Sequence, residues 1–215
     1  MMKKIIIELS VCLWLMVGSA WAQCPDGSTH TGDYCFTELG GEITKSGDYC
    51  YTESGGEITI TRYTGPGGNV AIPDTIGGMP VVAIGESAFY KCSSLTEVTI
   101  PDSVTSIGDK AFFLSGGLTS VTIGNSVTSI GDFAFYQCNS LTSVTIGNSV
   151  TSIGDLAFRR CGLTEITIPN SVTSIGRDAF RGCYDLSLAS FFGNAPSMGA
   201  DAFRDVASDF KIVLH

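Results

Sequence analysis

Histidine is nearly missing from this chain: among 215 residues only His30 and His215 are present. That scarcity removes Ser-His-Asp and Cys-His nucleophile arrangements, which need an imidazole beside the nucleophile. The sequence also has no G-x-S-x-G, no H-E-x-x-H and no phosphate-binding Gly-Lys-Ser/Thr loop. Carboxylates are plentiful and could in principle work as an acid/base pair. In the repeated part of the chain each acid has a turn or capping role open to it, so the expectation is no enzyme. Basic residues are few, 12 against 21 acids for a formal charge of -9. Phosphate neutralisation needs a clustered basic surface, so nucleic acid is excluded as a partner. No two cysteines stand at C-x-x-C spacing, which removes the usual zinc and redox motifs and leaves no metal or other cofactor to expect.

Long apolar runs are also lacking. The uninterrupted stretch Val11–Val17 is too short for a membrane span. With Lys3 and Lys4 before it and Ala20-Trp21-Ala22 after it, residues 1–22 read as a secretory signal peptide cut after Ala22. The other reading of this stretch is a retained anchor, with Glu8 an intrusion near its start. Trp21, Ala22 and Gln23 before Cys24 do not make a lipoprotein box, so no lipid is expected there. Nothing later in the chain is apolar for long enough to cross a membrane as a helix.

What the chain does have is repetition. LTSVTIGNSVTSIGDFAF (118–135) is followed by LTSVTIGNSVTSIGDLAF (141–158), identical except for Phe133 against Leu156, with a period of 23. The same frame starts at Leu95 and Leu163, and in worn form at Leu186. A period this short predicts a solenoid, in which each unit buries its apolar face only against its neighbours. We place the array at 70–215, with an opening unit over 70–94 that carries a GGMP insertion at 77–80. Units follow over 95–117, 118–140, 141–162, 163–185 and 186–208, with a C-terminal end at 209–215. A deletion near Gly162 shortens one unit to 22 residues.

Within the frame, Leu95, Val98 and Ile100 alternate with Glu97 and Thr99, the period-2 pattern of a strand with one buried face. A turn follows at Pro101-Asp102-Ser103. The chain returns through Val104 and Ile107, turns at Gly108, and enters Asp109–Phe112, for which a short helical segment is expected with Ala111 and Phe112 inside. The glycines at 85, 108, 131, 154, 176 and 199 mark a backbone position that wants either φ > 0 or no side chain. The acids after them, Asp109, Asp132 and Asp155, are placed as helix N-caps. Their stack could instead hold calcium, although one carboxylate per coil supplies few of the oxygens that ion needs.

Cys92, Cys138, Cys161 and Cys183 share one repeat position with Ser115. A position that accepts both reads as a small buried ladder of free thiols, with a Cys138–Cys161 bridge the weaker alternative. Cys24, Cys35 and Cys50 are the cysteines expected to include a disulfide in a secreted chain, Cys35–Cys50 being the guess. Residues 23–69 form a β-rich N-terminal cap. GDYCFTELGGEIT (32–44) and GDYCYTESGGEIT (47–59) are near-duplicates whose Gly-Gly pairs are hairpin signals.

The frame L-T-x-V-T-I-P-x-S-V-T-x-I-G-x-x-A-F-x-x-C resembles the leucine-rich repeats of BspA-like bacterial surface proteins over residues 70–206. The preceding EITITRYTGPGGNVAIPDTIGG is similar to the segment that leads into such arrays. The resemblance implies a curved solenoid with a concave parallel sheet and short helical segments on its other side, a secreted or cell-surface location, and adhesion to matrix proteins or cells. Against that resemblance the array is short, and no sorting domain is expected after it.

On the strand face the outward positions are small and mostly neutral: Glu97/Thr99, Ser120/Thr122, Ser143/Thr145, Glu165/Thr167 and Leu188/Ser190. The position after each Ala-Phe pair is different, running Tyr90, Phe113, Tyr136, Arg159, Arg181, Arg204. Stacked coil by coil this makes a stripe, aromatic and then cationic, of the residue types enriched in protein-binding hot spots. These residues could also simply flank the helical segment, half buried, with the arginines solvated. The reading is a secreted, non-enzymatic repeat protein that binds a protein ligand, a matrix glycoprotein or host cell-surface protein. A structural or self-associating surface component is the alternative. The threonine ladders at 96, 119, 142, 164 and at 99, 122, 145, 167 bear a likeness to ice-binding solenoids, but threonine is a good strand residue in its own right.

Overall fold

The structure is a computed structural model that describes residues 44–215. Residues 1–22, read from the sequence as a signal peptide, most of the first near-duplicate, and Cys24 and Cys35 lie outside the described residues. Six strands open the fold: β1 (Thr44–Ser46), β2 (Tyr49–Ser54), β3 (Glu57–Tyr63), β4 (Gly68–Ala71), β5 (Thr75–Ile76) and β6 (Met79–Ile84). From there each coil gives one strand to each of two walls. The first wall takes β7 (Leu95–Ile100), β9 (Ser120–Ile123), β11 (Ser143–Thr145), β13 (Glu165–Ile168), β15 (Leu188–Phe191) and β17 (Lys211–Leu214). The second takes the two-residue strands β8 (Ser106–Ile107), β10 (Ser129–Ile130), β12 (Ser152–Ile153), β14 (Ser174–Ile175) and β16 (Ser197–Met198).

The second wall is continuous. It runs β1-β2-β3-β6-β8-β10-β12-β14-β16, and from β3 onward every pairing along it is parallel. Near its start lies the hairpin of residues 47–59: β2 and β3 pair antiparallel across Gly55 and Gly56, both in the left-handed region, as a tight primed turn requires. The Gly77-Gly78 insertion makes a second small hairpin between β5 and β6. The first wall is interrupted. β4, β7, β9 and β11 form one sheet and β13, β15 and β17 another, so the ladder stops between Thr145 and Glu165. The one-residue deletion at Gly162 lies immediately before β13. Val144 is only half buried there, whereas Val98, Val121 and Ile166 at the same frame position are fully buried.

The third side corrects the expectation of helical segments, because none of the described residues is helical. In every coil the residue before the Ala-Phe pair, and the one two after it, is left-handed, as at Lys110 (φ 55°) and Leu114 (φ 60°). The segment is therefore a run of turns whose alternate N–H groups reach the following coil: Lys110 to Asp132, Phe112 to Ala134 and Leu114 to Tyr136, at 2.7 to 2.9 Å. A helix bonds only within itself and is about 10 Å across, which cannot repeat at a strand spacing of about 4.8 Å. Turns can. The core rings on this side report the same spacing, since Phe89, Phe112, Phe135, Phe158 and Phe180 stack with centroids 4.7 to 5.3 Å apart. Tyr63 begins that column and Phe203 and Phe210 end it. With no side thicker than another, the curvature expected of a helix-backed array loses its cause.

The acids after the recurrent glycine are likewise not helix caps. Asp109 Oδ1 accepts the Asp132 N–H at 2.8 Å, Asp132 that of Asp155 at 2.7 Å, and Asp155 that of Arg177 at 2.7 Å. Each carboxylate ties its own coil to the next. No group of acids, cysteines and histidines that could hold a metal ion occurs among the described residues. The glycine itself is there for room and not for φ. A Cβ on Gly108 would come within 2.9 to 3.0 Å of backbone atoms of Glu86, Gly85 and Ile84, and its φ is not left-handed.

Candidate functional site

The turn side carries the stripe. Its backbone points the position after Ala-Phe outward, half buried from Tyr90 to Arg181 and exposed at Arg204, because Ala and Phe themselves face the core. Tyr90 and Phe113 stack at 5.6 Å and Phe113 and Tyr136 at 4.9 Å, both with planes 9° apart. Such a column hides ring faces and presents ring edges. Its two ends are covered by cations: Lys91 Nζ lies 5.2 Å from the Tyr90 centroid, and the Arg159 guanidinium 5.9 Å from that of Tyr136. Phe133, which sequence reasoning missed, packs tilted against both Phe113 and Tyr136 at 6.3 and 5.6 Å. Its signal was present, as the one residue at which the two central repeats differ.

The cationic half behaves differently. Arg181 meets Asp205 at 3.1 Å and Asp178 at 3.4 Å, and Arg204 meets Asp201 at 3.4 Å and Asp205 at 3.8 Å. These arginines are already partnered. Arg159 is not: it makes no ion pair among the described residues, and its buried Nε has no hydrogen-bond partner. The stripe thus divides into a band of Tyr90, Phe113, Phe133, Tyr136 and Arg159 and a neutralised end of Arg181 and Arg204.

The opposite corner is polar. A shallow groove of about 500 Å³ follows the ends of β7, β9 and β11, lined among others by Thr99, Thr122, Thr145, Asp102, Asn125 and Asn148. The threonines at 119 and 142 donate to the backbone carbonyls of Thr96 and Thr119 at 2.9 and 3.4 Å. Their hydroxyls are committed to the scaffold.

The cysteine position is a hydrogen-bonded ladder. Ser115 Oγ donates to the Phe89 carbonyl at 2.7 Å and accepts the Cys92 N–H at 3.1 Å. Cys138, Cys161 and Cys183 repeat the donation to Phe112, Phe135 and Phe158 at 3.1 to 3.2 Å. These three are free and buried. Burial pushes the Cys138 and Cys183 thiols up to about 12 and that of Cys161 well above its ordinary value, so none is a nucleophile at neutral pH. Cys92 departs from the expected free ladder: it is disulfide-bonded, as is Cys50. Cys35, the partner expected for Cys50, is outside the described residues.

A coil with parallel strands, an inward Leu/Val/Ile/Phe set and a Cys-or-Ser ladder defines a leucine-rich-repeat solenoid. The BspA-type leucine-rich-repeat region matches residues 69–187 in 6 copies, and the chain belongs to that family. A leucine-rich-repeat protein of T. pallidum is 31% identical with a TM-score of 0.70, covering 79% of this chain and 91% of that one. One from Eubacterium ventriosum is 27% identical with a TM-score of 0.53, covering 79% of this chain and 42% of its own. One from Bacteroides ovatus shares the fold, with 24% identity, a TM-score of 0.58 and coverage of 85% and 61%. This chain therefore spans most of the first of these proteins and about half of the other two. No curated protein matches it. The family is one of repeat scaffolds, and no catalytic family is indicated. No helix among the described residues is long and apolar enough to cross a membrane.

Proposed function

We propose that this chain is a secreted, non-catalytic scaffold that adheres to a protein of the extracellular matrix or of a host-cell surface. The observation that carries this reading is the half-exposed aromatic band of Tyr90, Phe113, Phe133 and Tyr136 ending in the unpaired Arg159. Aromatic and arginine side chains desolvate well and carry most of the energy of protein interfaces, while the strand face of the same coils offers only small neutral groups. Export rests on reading residues 1–22 of the sequence as a leader. Surface-plasmon binding to a panel of matrix and cell-surface glycoproteins tests it, with Phe113→Ser and Tyr136→Ser combined in one variant and Arg181→Ala in another. Saturable binding that falls at least tenfold in the first variant and stays in the second is the expected result. Binding indifferent to the first variant removes the band from the reading.

A second reading, self-association, is favoured by β17. Ile212, Val213 and Leu214 on it are 37 to 64% exposed, an apolar strand surface of the kind that pairs with another copy. Light scattering across a hundredfold concentration range separates the two, since only self-association makes the particle grow.

A further inference from the structure

The deletion that interrupts the first wall also opens a notch of about 300 Å³, lined by Asn139, Arg160, Cys161, Gly162, Gly182, Tyr184 and Asp185. Two absences shape it. The coil that ends at Gly162 has one residue fewer than its neighbours at this corner, and Gly182 stands where the other coils carry Lys91, Leu114, Gln137, Arg160 and Asp205. The Cβ missing from Gly182 would lie 3.3 Å from the Arg160 stem and 3.8 Å from the Tyr184 ring. Those two side chains therefore line one gap beside Gly182. Tyr184 is 65% exposed, the most exposed large apolar side chain described, and makes no ring contact with its neighbours. Arg160 is exposed and has no ion pair among the described residues, unlike Arg177, Arg181 and Arg204. Asn139 and Asp185 stand exposed at the rim.

We propose that this notch binds a carboxylate-bearing sugar, a uronate or sialate residue of a glycan. An unpaired guanidinium offers a two-pronged site for a carboxylate. An exposed tyrosine face packs against the apolar C–H face of a pyranose. Asp185 accepts sugar hydroxyls, and the Asn139 amide both donates and accepts. The volume sits at the small end of the range for small-molecule clefts, enough for a single terminal sugar. A site this shallow and open to water binds weakly as a monosaccharide, with Kd on the order of 1 mM.

The test is a titration of the full chain, followed by NMR chemical shifts, with glucuronate and with 3′-sialyllactose, using lactose as the neutral control and N-acetylglycine as the non-sugar carboxylate. Arg160→Gln, Tyr184→Ser and Gly182→Gln are the variants. The last puts into the notch the side chain that Gln137 carries at the same left-handed position of another coil, with a left-handed φ and a 3.3 Å approach to the Arg160 stem to absorb. Unchanged circular dichroism and melting temperature establish that each variant is folded. The proposal expects an acidic sugar to bind at least tenfold better than lactose and N-acetylglycine, with that preference lost in all three variants. Which of the two acidic sugars binds tells uronate from sialate. Equal binding of lactose, equal binding of N-acetylglycine, no saturation by either acidic sugar, or binding that survives Gly182→Gln overturns it.

Discussion

Ser115 Oγ lies 2.7 Å from the carbonyl oxygen of Phe89, and one coil later the Cys138 sulfur takes the same place 3.2 Å from that of Phe112. Each is a small group that both donates to and accepts from the backbone of the coil before it. That double duty explains why the position alternates between cysteine and serine and never holds alanine or valine in the regular units. Ser115→Ala takes a donor from the Phe89 carbonyl and an acceptor from the Cys92 N–H inside the core, and these two keep their 3.4 Å bond to each other. It is expected to cost about 1 to 3 kcal/mol, whereas Ser115→Cys should be near neutral; urea unfolding of both variants measures the difference.

The same ladder sets an alkaline limit. The folded chain holds the Cys138 and Cys183 protons up to about 12, against an ordinary value of 9.0, because burial disfavours the thiolate. Between those values the unfolded chain sheds protons that the folded chain keeps, so stability is complete below pH 9 and declines as pH rises toward 12. Changing Cys138, Cys161 and Cys183 together to serine removes this part of the dependence. Melting temperatures from pH 8 to 11 should then fall less steeply in the variant. A residual slope is expected from Tyr49 and Tyr63, which burial shifts in the same direction. Identical slopes in the two proteins would show that the thiols titrate freely.

Phe135 sits in the middle of the ring column, 5.0 Å from both Phe112 and Phe158, and is fully buried. Phe135→Ala removes two stacking partners and leaves a cavity that the rigid coils on either side cannot close. A loss of about 3 to 5 kcal/mol is expected. At roughly 2 to 4 °C per kcal/mol for a chain of this size, the melting temperature should drop by about 6 to 20 °C. An unchanged melting temperature would remove Phe135 from the core.

The inward set of each coil was legible from period-2 alternation alone: Leu95, Val98 and Ile100 are buried and Glu97 and Thr99 exposed. The Asp109–Phe112 segment was not. Gly-Asp followed by Ala-Phe has the composition of a capped helix start, and local propensity was overruled by a demand that acts between coils, namely that every side repeat at the spacing of a strand. The same demand gives Asp132 its bond to the Asp155 N–H in place of a cap. The stripe was legible as a list of positions, because a repeat frame converts sequence offset into spatial stacking. Which of its arginines are free was not legible. That depends on Asp178, Asp201 and Asp205, acids that follow the frame less regularly and reach Arg181 and Arg204 from the same and adjacent coils.

The interruption of the first wall gives the sharpest test of register. β11 and β13 fail to pair although β12 and β14, from the same two coils, do pair. Thr119 donates its hydroxyl to the Thr96 carbonyl, Thr142 to that of Thr119 and Ser187 to that of Thr164; across the interruption Thr164 makes no such bond to Thr142. Only the segment after Cys161 differs in length between these coils, so the missing residue is the cause and the remedy is a single insertion. Placing a serine between Gly162 and Leu163 restores the spacing of Cys138-Asn139-Ser140-Leu141. β11 and β13 should then join, burying Val144 and adding ladder hydrogen bonds at about 0.5 to 1.5 kcal/mol net each. The expected readouts are a melting temperature higher by several degrees and slower amide exchange across Glu165–Ile168. Faster exchange with a lower melting temperature would show that the coils are held out of register by something other than the deletion.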